Sequence, residues 1–449
     1  MNSGWAIRAA ASLGLVLVAS AALRAQTCNH LWTAALHTGA FDFEVFDHGA
    51  GPRLYAVTDG SFSSNGVYVS KGIARWTGTG WENIGDLSPS VGYALKAYDH
   101  GAGTALYVGG GFYWAGGVVS PALARFSGRT WSAVSGFTYP DLVTALCVYD
   151  DGAGPALVVG GWFPNGVAGI PSANIAAWNG QKWFGLGGGV DSEVDEMEVF
   201  DDDGPGPNPP SLFVGGFFDY AGTTYASRIA RWDGHEWHAV GPGMDPGFGN
   251  GPVRTLCVYD DGAGPALIAA GTFAGAFGVP GTKTLARWNG KQWSSIGTNN
   301  GQATYGLYVF DDGVRGPGLI VGGQFSVIGG LSVPGMARYD GTGWSALGGP
   351  NGGQPGAMIR HDEGGVPTLW VSGGFQISPG IYTALGRYQY VCEPCFPDCD
   401  ASGALTIADF NCFQSKYVLG DPYADCNASG SLTVADFGCF QGKYVLGCP

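Results

Sequence analysis

Two segments near the C-terminus place oxygen-bearing side chains at alternating positions. In the first, Asp398, Asp400 and Ser402 take positions 1, 3 and 5 of a loop, with Gly403 at 6, Thr406 at 9 and Asp409 at 12. In the second, the same places hold Asp425, Asn427, Ser429, Gly430, Thr433 and Asp436. Hard oxygen donors at this spacing wrap a single Ca2+, while the glycine allows a sharp turn and position 7, here Ala404 or Ser431, lends a backbone carbonyl. The first loop brings three carboxylates and the second two, so the first is expected to hold the ion more tightly. A cysteine-tied, turn-rich tail without metal is the competing reading.

Other candidates for chemistry are sparse. Asp-rich turns recur at Asp47, Asp99, Asp150/Asp151, Asp201/Asp202/Asp203, Asp260/Asp261, Asp311/Asp312 and Asp362. They read as turn formers, because Asp caps its own backbone and the following Gly takes the left-handed position. The seven histidines form no metal motif, and His235 and His238 sit on a hairpin, where a spacing of three does not align two ligands. No catalytic residue is assigned.

The elements that must position these residues follow a repeat. "YVGGGF" at 107–112, "FVGGFF" at 213–218 and "IVGGQF" at 320–325 share an apolar strand, two Gly and an aromatic. That aromatic recurs at Phe62, Phe112, Phe163, Phe217, Phe273, Phe325 and Phe375, in steps of 50 to 56 residues. Segments such as "ARWDGHEW" at 230–237 follow, with Trp81, Trp131, Trp183, Trp237, Trp293 and Trp344 each five residues after the preceding aromatic. A period near 50 built of short apolar runs and turns predicts a β-propeller of four-stranded blades. The Asp-Gly and Asn-Gly pairs mark the hairpins between strands three and four. The seventh unit lacks a Trp strand, and "NHLWTAAL" at 29–36 supplies one, so an N-terminal strand is expected to close a ring of seven blades.

The double Gly, aromatic and Trp at fixed offsets resemble Kelch repeats over roughly residues 30–390. Galactose oxidase also carries a Kelch propeller, but its copper site needs Tyr, His and Cys partners that no motif here supplies. The C-terminal pair, "DCDASGALTIADFNCFQSKYVLG" at 398–420 and "DCNASGSLTVADFGCFQGKYVLG" at 425–447, resembles a type I dockerin, a duplicated calcium loop-helix module. Ser at position 5 and the apolar pairs Ile407/Ala408 and Val434/Ala435 at positions 10 and 11 depart from that family, as do the extra cysteines. Those cysteines and the Gly447-Cys448 ending resemble a Cys-rich variant associated with cell-surface anchoring. The resemblance implies Ca2+ as cofactor and either a cohesin-like protein or a cell-envelope component as partner.

Composition bounds the rest. Gly supplies 80 of 449 residues and charged residues 13%, against averages of about 7% and about 25%. With 45% apolar residues there is material for a core, and the fold class is all-β with a small α-helical tail. The net charge of −15 without a basic run excludes nucleic acid as a partner. Residues 1–25, with Arg8 before an apolar stretch of about 15 residues, read as a signal peptide too short to span a bilayer. The expected organisation is signal peptide 1–25, propeller 28–390, linker 391–397 and dockerin-like domain 398–449, in a secreted protein with no transmembrane segment after processing.

Export permits disulfides. Cys28 lies four residues before Trp32 and Cys392 four after Tyr388, so a Cys28–Cys392 bridge would replace the hairpin that blade seven lacks, with Cys395 as the rival partner. Cys147 and Cys257 occupy one repeat position in separate blades and are expected to be buried free thiols. Cys399, Cys412, Cys426 and Cys439 form repeat-related pairs of open connectivity.

Ligand binding is expected on the face carrying the loops from strand two to three and from strand four to the next blade, which vary in length on a constant scaffold. The inserted loop 241–252 is the most distinctive. Trp114 and Trp162 could stack on sugars, although packing between blades is the expected use. Two functions follow: a non-catalytic binding or scaffold protein for a glycan or protein ligand, or a secreted carbohydrate-active enzyme, a glycosyl hydrolase or galactose-oxidase-like protein of polysaccharide catabolism.

Overall fold

A computed structural model describes residues 28–36, 39–58, 62–64, 67–69, 72–204, 209–297, 299–347, 353–378, 381–392, 399, 406–426 and 431–446. The chain divides into two compact units, one of which is His30–Tyr390. That unit is a seven-bladed β-propeller. Blade three is representative: Leu142–Asp150, Pro155–Trp162, Ile175–Trp178 and Trp183–Gly185 pair antiparallel in chain order. In blade seven the strand order is Met358–Arg360, Leu369–Ser378, Ile381–Cys392 and then Cys28–Leu36, so the N-terminal strand completes the ring.

Indole groups stitch the blades together. Trp131 Nε1 donates to the Ile84 carbonyl of the preceding blade at 3.0 Å, Trp183 to Ser135 at 2.8 Å, Trp237 to Leu186 at 2.9 Å and Trp344 to Ile296 at 2.8 Å. Trp32 does the same with Leu347 at 3.1 Å. A residue from the opposite end of the chain thus performs the repeat's own task.

The Gly pairs have two separate reasons. A methyl on the first, Gly160, would meet the Val194 side chain of the next blade; a methyl on the second, Gly161, would strike the Leu142 carbonyl of its own blade. A side chain can adapt where a carbonyl cannot. Blade five accordingly carries Ala270 in the first place but keeps Gly271 in the second, where a methyl would strike the Pro252 carbonyl.

The Asp-rich turns are structural. Asp150 Oδ1 accepts the N–H groups of Gly152 and Gly154 at 2.8 and 2.9 Å, and Asp47, Asp99 and Asp260 cap their own turns alike. The second acid often holds the strand-three arginine, as in Arg287–Asp261 at 2.8 Å.

In the other unit, the helices Ile407–Val418 and Val434–Leu446 follow the two loops. Phe413 and Phe440 are fully buried and stacked at 4.0 Å between ring centroids. Disulfides join Cys399 to Cys412 and Cys426 to Cys439, each within one repeat, which closes the question of connectivity for these four. The side chains of Cys28 and Cys392, the linker from 393 and Cys395 lie outside the described residues.

Candidate functional site

The first strands of all seven blades line a central channel. In six of them one extra residue interrupts the pairing with strand two: Phe41, Tyr93, Thr144, Asp195, Arg254 and Tyr305. This is a β-bulge, which puts two consecutive residues on one side of the strand and commonly re-aims side chains beside binding sites. Asp195 and its successor Glu196 thereby both line the channel, whereas the successors Ala94 and Ala145 pack into the core. Strand one begins where the preceding strand four hands over, so the bulges stand at the channel's end on the variable-loop face. They surround a cavity of about 430 Å3.

Deeper in the channel, the wall stitches neighbouring strands. Asp42 Oδ2 accepts the Leu95 N–H of the next blade at 2.7 Å, Glu44 accepts from Ala97 at 3.1 Å, and the Tyr308 hydroxyl accepts from Arg360 N–H at 2.9 Å. An inner strand leaves N–H groups without a ladder partner, and these side chains satisfy them.

Electrostatically the cavity is short of countercharge. Asp42, Glu44, Asp195, Glu196 and Glu198 face it, against Lys96 and Arg254. Lys96 Nζ lies 3.9 Å from Glu44 and Arg254 Nη1 lies 3.3 Å from Asp195. Burial pushes Asp42, Asp195 and Glu198 up to about 7 and Glu196 to about 8, because removal from water penalises the charged form. Cys147, on the same wall, and Cys257, at the equivalent place in blade five, are free thiols, the first buried and the second half-buried; desolvation pushes both up to about 12, which keeps them unreactive.

Sequence reasoning missed this acid cluster, because period-two alternation hides a bulged residue. In blades two to six the signal was present in the Gly that ends each pair, which lies across from the bulge; blade one carries Thr58 there.

The loop face is more tightly built than length variation suggests. In the inserted loop, Met244–Asp245 pairs with Gly275–Ala276, and Met244 is fully buried. The Trp114–Ala115 and Val118–Val119 hairpin of blade two adds to the outer strand of blade one. Trp114 and Trp162 are each 45% exposed, which corrects the expectation that they pack between blades. Both follow a Gly pair: Trp114 stands on the added hairpin, and Trp162 ends strand two of blade three opposite Leu142. At the Trp232–Trp237 hairpin, His238 Nε2 meets Asp233 at 2.6 Å beside Glu236, while His235 contributes only its backbone N–H, which donates to Asp233 at 2.8 Å.

Of the calcium loops, Asp398, Asp400, Ser402, Ala404, Asn427 and Ser429 lie outside the described residues. Positions 9 and 12 of both loops are described and form matching helix caps. Asp409 Oδ2 accepts the Thr406 N–H at 2.7 Å, while Thr406 Oγ1 accepts from Ala408 N–H at 3.2 Å. Asp436 and Thr433 repeat this at 2.7 Å, with Ala435 N–H as the donor to Thr433 at 3.2 Å. Asp409 and Asp436 are fully buried, Asp425 is half-buried and Ser431 exposed. The donor set is all hard oxygen with a fixed carboxylate at position 12, which fits Ca2+.

No family model matches the sequence, and no curated protein does. Among solved structures, the chain is similar to the extracellular domain of a B. thetaiotaomicron protein described as a hybrid two component system, BT4673. That likeness has 12% identity and a TM-score of 0.49, covering 85% of this chain and 42% of the other, so this chain spans less than half of that one. A second likeness is to BBS1N in complex with ARL6DN, soaked with lead, at 12% identity and a TM-score of 0.44, covering 80% of this chain and 96% of that one.

Proposed function

We propose that this chain is a secreted, non-catalytic binding protein: a Kelch-like propeller presents a ligand site on its variable-loop face, and a dockerin-like tail docks or anchors it in a Ca2+-dependent way. The observation that carries the reading is the cavity on that face, around which six blades place bulged residues. For the tail, support comes from two loop-helix repeats that share a cap, a buried acid and an internal disulfide. Secretion rests on the leader-like residues 1–25. Among the described residues no helix is long and apolar enough to cross a membrane.

The second reading is a carbohydrate-active enzyme, and one observation favours it: carboxyl groups held partly protonated near neutral pH, as a general acid requires. Glycan and protein arrays run beside polysaccharide turnover assays separate the two. Binding without turnover is the expected result. Turnover that disappears in Asp195→Asn or Glu196→Gln would overturn the binding reading.

A further inference from the structure

The central cavity recognises charge in a particular arrangement. Its five carboxylates face only two cations, which leaves a net charge of −3 when all are ionised. Glu44 and Asp195 have those cations as neighbours. Asp42 is held by the Phe43 and Leu95 N–H groups. Glu196 differs: it accepts one hydrogen bond, from Met197 N–H at 3.0 Å, and among the described residues no cation forms a salt bridge with it. A half-buried acid without a counterion either keeps its proton or pairs with a cation that arrives from outside.

The spacing selects the kind of cation. No three of the channel's acid or thiol groups bring ligand atoms within 4.8 Å of one another, so they do not gather around one metal ion. Several positive charges spread along a flexible chain would reach them in turn. The mouth suits such a chain, because Phe41 and Tyr93 lie 4.9 Å apart between centroids, with Tyr305 on the same tier. Aromatic faces attract ammonium groups and cover the methylenes between them.

We propose that the cavity binds a linear aliphatic di- or polyamine, its ammonium groups paired with Glu196 and Asp42 and its methylenes against the aromatic mouth. This rests on the binding reading given above and names the ligand class for that site.

Calorimetry with the full mature chain, titrated with spermidine and putrescine, tests it. Saturable binding is expected, weakened about tenfold or more in Glu196→Gln, the factor that one lost charge pair of about 1.4 kcal/mol represents. Phe41→Lys should weaken it as well; Phe41 is 42% exposed, so this variant tolerates the change and sets a repelling charge at the mouth. Asp233→Asn, on an outer hairpin, should bind as the wild type does. Absence of saturable heat at millimolar amine overturns the proposal, as does equal weakening in Asp233→Asn or stoichiometric displacement of the amine by Mg2+. If amines fail while a glycan or protein still binds the loop face, this inference alone falls. If nothing binds that face, the binding reading falls with it.

Discussion

Trp32 is the point at which ring closure can be broken without touching the repeats. Its indole is half-buried, 5.7 Å from the Phe375 ring and 5.0 Å from Tyr388, and its N–H holds the Leu347 carbonyl. Truncating a core aromatic to Ala costs about 3–5 kcal/mol, and partial exposure puts Trp32→Ala near the lower end. For a unit spanning His30–Tyr390 the melting entropy is roughly 0.75 kcal/mol per degree, so the loss appears as about 4 °C in Tm. Trp32→Phe keeps most of the ring and removes the donor, which costs about 1 kcal/mol. Scanning calorimetry on both variants, with Trp183→Phe as the interior control, measures this. Trp32→Ala should also make the N-terminal strand sensitive to protease. If it melts within a degree of the wild type and stays resistant, the N-terminal strand does not latch the ring.

Gly161→Ala should cost toward the upper end of about 1–3 kcal/mol, because its methyl strikes the Leu142 carbonyl, and denaturant midpoints will show whether it does. Asn174 is fully buried at φ +63°, accepts from Phe163 N–H and donates to the Val190 carbonyl, both at 2.9 Å. Asn174→Ala should therefore lose about 2–4 kcal/mol by the same measurement. The channel acids predict a pH dependence. Their folded pKa values of about 7 to 8 lie above the unfolded values near 4, so the folded chain holds more protons between these limits. Their contribution to stability is then full below about pH 4 and is lost as pH rises toward 8. Glu44 and Glu193, also raised, act in the same sense, while Lys96, raised as well, stays charged throughout. Urea midpoints at the two limits should differ less in Glu196→Gln.

The ring was legible because its signals are local and repeated. Trp183, Trp237, Trp293 and Trp344 sit at turns that Asn-Gly or Asp-Gly dictates, Trp81 and Trp131 at Thr-Gly and Ser-Gly turns, and Trp32 falls where the count requires one more strand. Turn caps such as Asp150 were legible for the same reason: residue type and backbone demand coincide within a few positions. The channel was not. Asp195 and Glu196 are neighbours in sequence, and alternation would send one of them away from the axis; only the inserted residue turns both inward. The Cys399–Cys412 and Cys426–Cys439 pairings needed each first cysteine placed against its own repeat's helix, since spacing allows repeat-to-repeat pairing equally well. Trp114 and Trp162 were misplaced because an aromatic beside a Gly pair looks like seam packing, whereas Trp114 lies on a separate hairpin and Trp162 at the end of its strand.

The proposed function divides labour between a propeller that binds and a tail on which Ca2+ acts. Scanning calorimetry of the full mature chain, in Ca2+ and then in chelator, tests that division most directly. The predicted result is two transitions, of which the tail's rises with Ca2+ and falls back in Asp398→Ala, while the propeller's stays fixed. A tail transition indifferent to millimolar Ca2+, or a propeller transition that moves with it, would contradict the account.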